Sequence, residues 1–151
     1  MKVFTIRLWI HKMKIYCSGP ISGDTEYQDS YLEIIRHITS KNHTAFSQLN
    51  KEFNTPDDIS DRDIYMRDIN WIEHCDLLIA EVSGSSTGVG FEISYALHQK
   101  KIPILALAHS NVKRVTAMLT GCDNKLLTLK RYSSIKEMND YTDEFISNHK
   151  I

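Results

Sequence analysis

The run Asp76-Leu77-Leu78-Ile79-Ala80-Glu81-Val82 limits the fold more than any other segment. A nearly continuous apolar stretch of strand length has no side to turn to water, so it predicts a strand in a parallel sheet with helices packed on both faces. It passes into Ser83-Gly84-Ser85-Ser86-Thr87-Gly88-Val89-Gly90 and then into a helical pattern through Phe91, Ile93, Tyr95, Ala96 and Leu97. The same alternation repeats along the chain. Ile15-Tyr16-Cys17 reads as a short strand ending in the loop Ser18-Gly19-Pro20-Ile21-Ser22-Gly23. Residues 27–38 space Tyr27, Tyr31, Ile34, Ile35 and Ile38 as a helix, and a second strand falls within 44–49. Ser60 and Asp63 form a capping box before a helix whose buried stripe is Ile64, Ile69 and Ile72. A buried strand over 102–108, a short helix over 112–119, a strand over 126–129 and a helix over 134–149, capped by Ser134 with Glu137, complete the pattern. The expected architecture is a three-layer α/β domain with five parallel strands, its polar loops gathered at the strands' carboxyl ends.

The chain has 151 residues, which leaves no room for a second full domain. Its 18 basic and 19 acidic side chains give a net charge of −1, so no general field grips a nucleic-acid polymer, although a local pocket can still hold one phosphate. Cys17, Cys75 and Cys122 are odd in number and far apart, which predicts neither a disulfide framework nor a thiolate metal site. The longest apolar run after the first residues, 102–108, is far below the roughly 20 residues that cross a bilayer. Residues 1–13 are broken by Arg7 and His11 with no cleavage site after them, so a soluble, cytoplasmic protein is expected. Met13-Lys14-Ile15-Tyr16 reads like the natural start of a first strand, which leaves 1–13 as an added edge element or an upstream start.

Two carboxylates are the leading chemical candidates. Glu92 follows the glycine-rich loop just inside a helix, where exposed N–H groups favour an ionised carboxylate and its use as a nucleophile. An acid chosen only to complement a helix start fits that position equally well. Asp68 lies on the preceding helix, one turn beyond Ile64. Retaining glycoside cleavage needs one ionised carboxylate and one proton-handling partner, roughly 5–5.5 Å apart, so the two acids suit that chemistry if their helices converge. The plain alternative for Asp68 is a solvated pair with Arg67 or a lysine. Tyr16, at the end of the first strand, can steady a carboxylate with its hydroxyl or simply pack. The loop over 83–90 can hold a phosphate or sugar hydroxyl, but it matches neither the triphosphate-binding loop nor the dinucleotide fingerprint. The seven histidines form no HExxH, and no serine stands in GxSxG; no metal and no cofactor are expected. Covalent catalysis by a carboxylate remains.

Tyr16-Cys17-Ser18-Gly19-Pro20-Ile21-Ser22-Gly23, Asp68-Ile69-Asn70-Trp71-Ile72, Cys75 to Val82, and Ser86-Thr87-Gly88-Val89-Gly90-Phe91-Glu92 together resemble the nucleoside 2-deoxyribosyltransferase superfamily. Within it the likeness is strongest to the 2'-deoxynucleoside 5'-phosphate N-hydrolases. It runs over residues 14–151 and includes Thr116-Ala117-Met118-Leu119 and Gly121, leaving 1–13 as an extra segment. The resemblance implies a flavodoxin-like sandwich with strand order 2-1-3-4-5. It implies that Glu92 attacks the anomeric carbon, that Asp68 assists the departing base and the incoming water, and that Tyr16 contacts the nucleophile. It implies substrate contacts from Gly19, Ile21, Ser22, Gly23, Ser86, Gly88 and Gly90, with Ser86 on the 5'-phosphate. Met118 is a further expected substrate contact, and Thr116 is expected to reach the neighbouring subunit's site in a homodimer with shared active sites. Two positions depart from those hydrolases: Pro20 and Ser22 stand where a serine and an arginine help hold phosphate, and Gln48 stands where a histidine lies beside the base. The Gly19-Pro20 pair is similar to the transferase branch, which moves deoxyribose between free bases.

The expected activity is therefore hydrolysis of the N-glycosidic bond of 2'-deoxynucleoside 5'-monophosphates through a covalent glutamate-deoxyribosyl intermediate. The partner is a small deoxynucleotide or deoxynucleoside, with neither a nucleic-acid polymer nor a membrane involved. A base-exchanging transferase shares the first half of that chemistry. A nucleotide sensor without turnover would keep the fold and the pocket alone.

Overall fold

The computed structural model describes residues 11–150. Five strands form one parallel sheet: β1 (Lys14–Ser18), β2 (Thr44–Phe46), β3 (Leu77–Glu81), β4 (Ile104–His109) and β5 (Leu127–Tyr132), in the order β2-β1-β3-β4-β5. Five α-helices connect and cover them: α1 (Gln28–Ser40), α2 (Asp61–Glu73), α3 (Thr87–Tyr95), α4 (Ala117–Thr120) and α5 (Ile135–Asn148). A 3₁₀ turn covers Lys51–Phe53, and a π-helical turn over Ala96–Lys100 extends α3.

Strand periodicity divides the core into two layers. Ile15, Cys17, Leu77, Ile79, Leu105 and Leu107 point to one face, where Tyr31, Ile34 and Ile38 of α1 and Met138, Phe145 and Ile146 of α5 cover them. Tyr16, Leu78, Ala80 and Ile104 point to the other, against Ile72 of α2 and Val89, Ile93, Ala96 and Leu97 of α3 and its extension. All of β3 is buried, as its uninterrupted apolar run requires. The flavodoxin-like three-layer sandwich and its strand order are as expected from the sequence.

Two expectations need correction. The helix over 112–119 is reduced to Ala117–Thr120. Arg131 Nη1 donates to the Val112 carbonyl at 2.7 Å, occupying the acceptor that a helical turn would use four residues on. The stripe on α2 is only partly realised, because Ile72 alone is buried while Ile64 and Ile69 are half-buried. The middle of that helix instead holds the partly buried Arg67–Asp68 pair. The expectation for residues 1–13 falls, up to residue 10, outside the described residues.

The sheet order reverses at β1, which lies between β2 and β3. Connections leaving the carboxyl ends of β1 and β3 cross to opposite sides there and open a crevice. Tyr16 pairs with Leu78 and Ser18 with Ala80 across this junction, so the last residues of β1 stand beside the start of the loop leaving β3.

Candidate active site

Tyr16 and Ser18 are two residues apart on β1 and therefore share a face of the sheet. Both hydroxyls converge on Glu92 of α3. The Tyr16 hydroxyl donates to Glu92 Oε1 at 2.9 Å, and the Ser18 hydroxyl donates to Oε2. Burial pushes the Glu92 carboxyl up to about 7; the two hydroxyl bonds oppose that shift, and the nearby Asp68 charge adds to it. This corrects the expectation that the helix start keeps Glu92 ionised. α3 begins at Thr87, so Glu92 lies beyond its first turn, where the exposed N–H groups act weakly. Burial raises the Tyr16 phenol well above its ordinary value, followed by the charges of Glu92 and Asp68, so the phenol remains a donor.

Asp68 is not on a solvated face. Arg67 Nε donates to Asp68 Oδ1 at 2.9 Å, with the two side chains 15% and 20% exposed. Burial raises the Asp68 carboxyl and the Arg67 bond partly offsets it. Arg67 also donates through Nη2 to Gln48 Oε1 at 3.0 Å and lies over the Trp71 ring, 5.0 Å from its centroid. Trp71 stacks against Phe46 at 5.8 Å and packs beside Phe53 at 5.3 Å, giving Arg67 an aromatic flank. Two buried cysteines are not competing nucleophiles: burial pushes the Cys75 thiol up to about 12 and raises Cys17 further.

The stretch expected as a loop over 83–90 is half helix. Ser86 is the N-cap of α3, its hydroxyl accepting from the Val89 N–H at 3.3 Å, and Gly88 and Gly90 lie inside the helix. Ser22, Gly23, Ser85, Ser86, Thr87 and Gly88 line a cavity of about 320 Å³ at this helix start. Its two walls are held together by the Asp24 N–H, which donates to the Ser85 carbonyl at 3.2 Å, and a Cβ on Gly23 would stand 2.7 Å from that same oxygen. Gly19 is buried, and a Cβ there would meet the Tyr31 ring at 2.3 Å, so its immediate role is to let that ring under the loop. Ile21 is exposed at the loop's edge. Neither Gly88 nor Gly90 is crowded: a Cβ on Gly88 meets only Ser86 Oγ at 3.8 Å, and one on Gly90 meets nothing within 4 Å.

Thr116 and Met118 do not line that cavity. They border a separate cavity of about 740 Å³ between α3 and the segment before α4, where Thr116 caps α4 and Met118 is 82% exposed. The two cavities share Ser85, Ser86 and Thr87, so they flank the same helix start.

The sequence reading singled out neither Ser18 as a ligand of Glu92 nor the Arg67–Gln48–Trp71 group as a unit. Ser18 carries a signal, since a residue two beyond Tyr16 on a strand faces the same way. The pairing of Gln48 with Arg67 has none, as no local spacing rule connects residues 19 apart.

A family model described as nucleoside 2-deoxyribosyltransferase matches residues 15–129. A protein of Syntrophotalea carbinolica named "Putative 2'-deoxynucleoside 5'-phosphate N-hydrolase 1" is 40% identical over 129 residues, covering 83% of this chain and 89% of that protein. The "5-hydroxymethyl-dUMP N-hydrolase" of Tetraodon nigroviridis is 29% identical over 145 residues, covering 91% of this chain and all of the relative. Among solved structures, the Clostridium botulinum CMP N-glycosidase BcmB shares the fold with a TM-score of 0.63 at 16% identity, over 87% of this chain and 98% of that one.

Proposed function

The chain belongs to the nucleoside 2-deoxyribosyltransferase family and is an N-glycosidase, and from that premise we propose that it hydrolyses 2'-deoxynucleoside 5'-monophosphates to free base and deoxyribose 5-phosphate. The observation that carries this reading is Glu92: a partly buried carboxylate held on both oxygens by hydroxyl donors, close enough to Asp68 to feel its charge.

Each group has a task in a two-step displacement. Ionised Glu92 attacks the anomeric carbon, and the electrons of the glycosidic bond leave with the base. Tyr16 and Ser18 fix the rotamer of the attacking carboxylate and offset part of the cost of its buried charge. Asp68, raised by burial, carries a proton toward the departing base and afterwards takes one from the water that attacks the deoxyribosyl–Glu92 ester. Two inversions give net retention.

The substrate's 5' end belongs at the α3 N-terminus. The Ser86 hydroxyl keeps its proton for donation while accepting from Val89, and the Thr87 and Gly88 N–H groups open the helix. Gly88 and Glu92 are four residues apart on one face, about 6 Å along the axis. That is the scale separating a 5'-phosphate from the anomeric carbon, so a single helix holds the phosphate and presents the nucleophile. Thr116 and Met118 line a cavity of one chain that Glu92 does not line, and their contribution comes across a homodimer interface to the partner's helix start.

One observation favours a second reading. None of the six residues lining the small cavity carries a positive charge, which suits a neutral 5'-hydroxyl and a transferase acting on free deoxynucleosides. Matched pairs of deoxynucleoside and 5'-monophosphate, assayed with and without a second free base, decide between them. Preference for the monophosphate, reduced in Ser86→Ala, with free sugar phosphate as product, supports the hydrolase. Preference for every unphosphorylated member, unaltered in Ser86→Ala, or accumulation of exchange product, overturns it.

A further inference from the structure

Arg67 is committed on three sides of its guanidinium and unsatisfied on the fourth. Nε is bonded to Asp68, Nη2 to the Gln48 side-chain oxygen, and the flat face to Trp71, while Nη1 is buried with no hydrogen-bond partner among the described residues. A buried, unpaired donor on a charged group opposes stability. Arg67 is thus a costly way to steady Asp68 alone, for which one bond would suffice.

The second bond has a consequence of its own. A glutamine amide is nearly symmetric in shape but opposite in hydrogen-bonding sense at its two ends, and its orientation follows from its partners. Arg67 offers only donors, so it captures the Gln48 oxygen and leaves the Gln48 N–H₂ group as the end available to a ligand. That group is not shut off from solvent, and it has no protein partner among the described residues. Thr55 Oγ1 donates to the Gln48 backbone carbonyl at 3.0 Å and steadies the segment, while Phe46, Phe53 and Trp71 give it a flat apolar flank. A base handed its proton by Asp68 lies within one guanidinium's width of this amide.

We propose that Arg67 is a positioning residue that locks the Gln48 amide with its N–H₂ group toward the base, so that the site selects bases presenting a carbonyl oxygen over those presenting an amino group at the same edge. The inference rests on the hydrolase reading for the location of the base, and it identifies the substrate class as oxo-bases of the uracil type rather than amino-bases of the cytosine type. Those two bases differ at one exocyclic position, which makes them the natural probes.

The test compares 2'-deoxyuridine 5'-monophosphate with 2'-deoxycytidine 5'-monophosphate on the full chain, by kcat/KM and, separately, by equilibrium binding to the Glu92→Gln protein. With Arg67 intact, the uridine nucleotide is favoured by about tenfold or more, the scale of one hydrogen bond made or left unpaired. In Arg67→Met the amide turns freely and the ratio falls toward one, while melting confirms a folded protein. Arg67→Lys, a point charge without the fork, restores the ratio only in part. Gln48→Ala abolishes it with Arg67 present. Equal losses on both nucleotides in Arg67→Met, with the ratio unaltered, would overturn the proposal and leave Arg67 as a support of Asp68. So would the absence of any preference in the wild type. Because binding is read apart from turnover, Arg67-dependent discrimination in binding without cleavage would defeat the hydrolase reading while upholding the locked amide.

Discussion

Glu92→Gln should make the protein more stable, and the gain should depend on pH. The folded protein holds the Glu92 proton up to about pH 7, whereas the unfolded chain releases it near 4.5. Between those values the folded state binds more protons at this position, so wild-type stability falls as pH rises through the window and levels off above it. The difference corresponds to about 3 kcal/mol. Glutamine removes the buried charge and keeps both contacts, its oxygen accepting from Tyr16 and its amide donating to Ser18. The variant should match the wild type near pH 4.5 and exceed it above pH 7 by up to about 3 kcal/mol, or roughly 6–12 °C in melting temperature for a chain of this size. Glu81 is also raised by burial, but it is present in both proteins and cancels in the comparison, while the Asp68 charge that adds to the Glu92 shift is part of the difference measured. Thermal melts of the two proteins from pH 4.5 to 8.5 check this. A constant offset across the range, or a less stable variant at pH 8, would refute the account of Glu92 as a charge held at the expense of stability.

Three further outcomes follow from the same geometry. The acid limb of kcat/KM should lie near pH 7, where Glu92 ionises, and Ser18→Ala should move it to higher pH by removing a donor that favours the anion; a limb below pH 5, or one indifferent to the change, would contradict this. Gly88→Ala and Gly90→Ala meet no crowding and should each stabilise α3 by about 0.5–1 kcal/mol in denaturant titrations, yet Gly88→Ala should weaken monophosphate binding by intruding on the small cavity; unchanged affinity would remove the phosphate from that helix start. Light scattering should find a dimer, and Thr116→Val should reduce substrate affinity while the lost α4 cap costs about 0.5–2 kcal/mol of stability; a fully active monomer would reject the shared site.

Much of the fold is legible in local patterns, and the site is legible only in part. The apolar run of β3, the caps at Ser60 and Ser134 and the short apolar strand at Ile15-Tyr16-Cys17 are properties of neighbouring residues, and each appears in the structure as the pattern requires. The helix expected over 112–119 has apolar spacing, but its first carbonyl is taken by Arg131, a partner 19 residues away. The sign of the shift at Glu92 is illegible in the sequence for a related reason. Local position suggests an ionised acid at a helix start, whereas burial against β1, set by a contact 76 residues apart, decides the matter. Arg67 and Asp68 are adjacent, a spacing that suits a solvated surface pair as well as a proton-handling acid. Only the packing of Trp71, Phe46 and Gln48 around them converts that pair into a partly buried one.

The central claim, that Glu92 opens the glycosidic bond by forming a covalent deoxyribosyl ester, is tested most directly by stereochemistry. A β-configured deoxynucleoside 5'-monophosphate should be cleaved in water containing methanol, and the anomeric configuration of the methyl deoxyriboside 5-phosphate, which does not mutarotate, read by NMR. Two displacements, the first by Glu92, predict the β-methyl product. The α-methyl product would mean that the acceptor attacks the substrate directly, and Glu92 could then be no more than a base or an electrostatic partner.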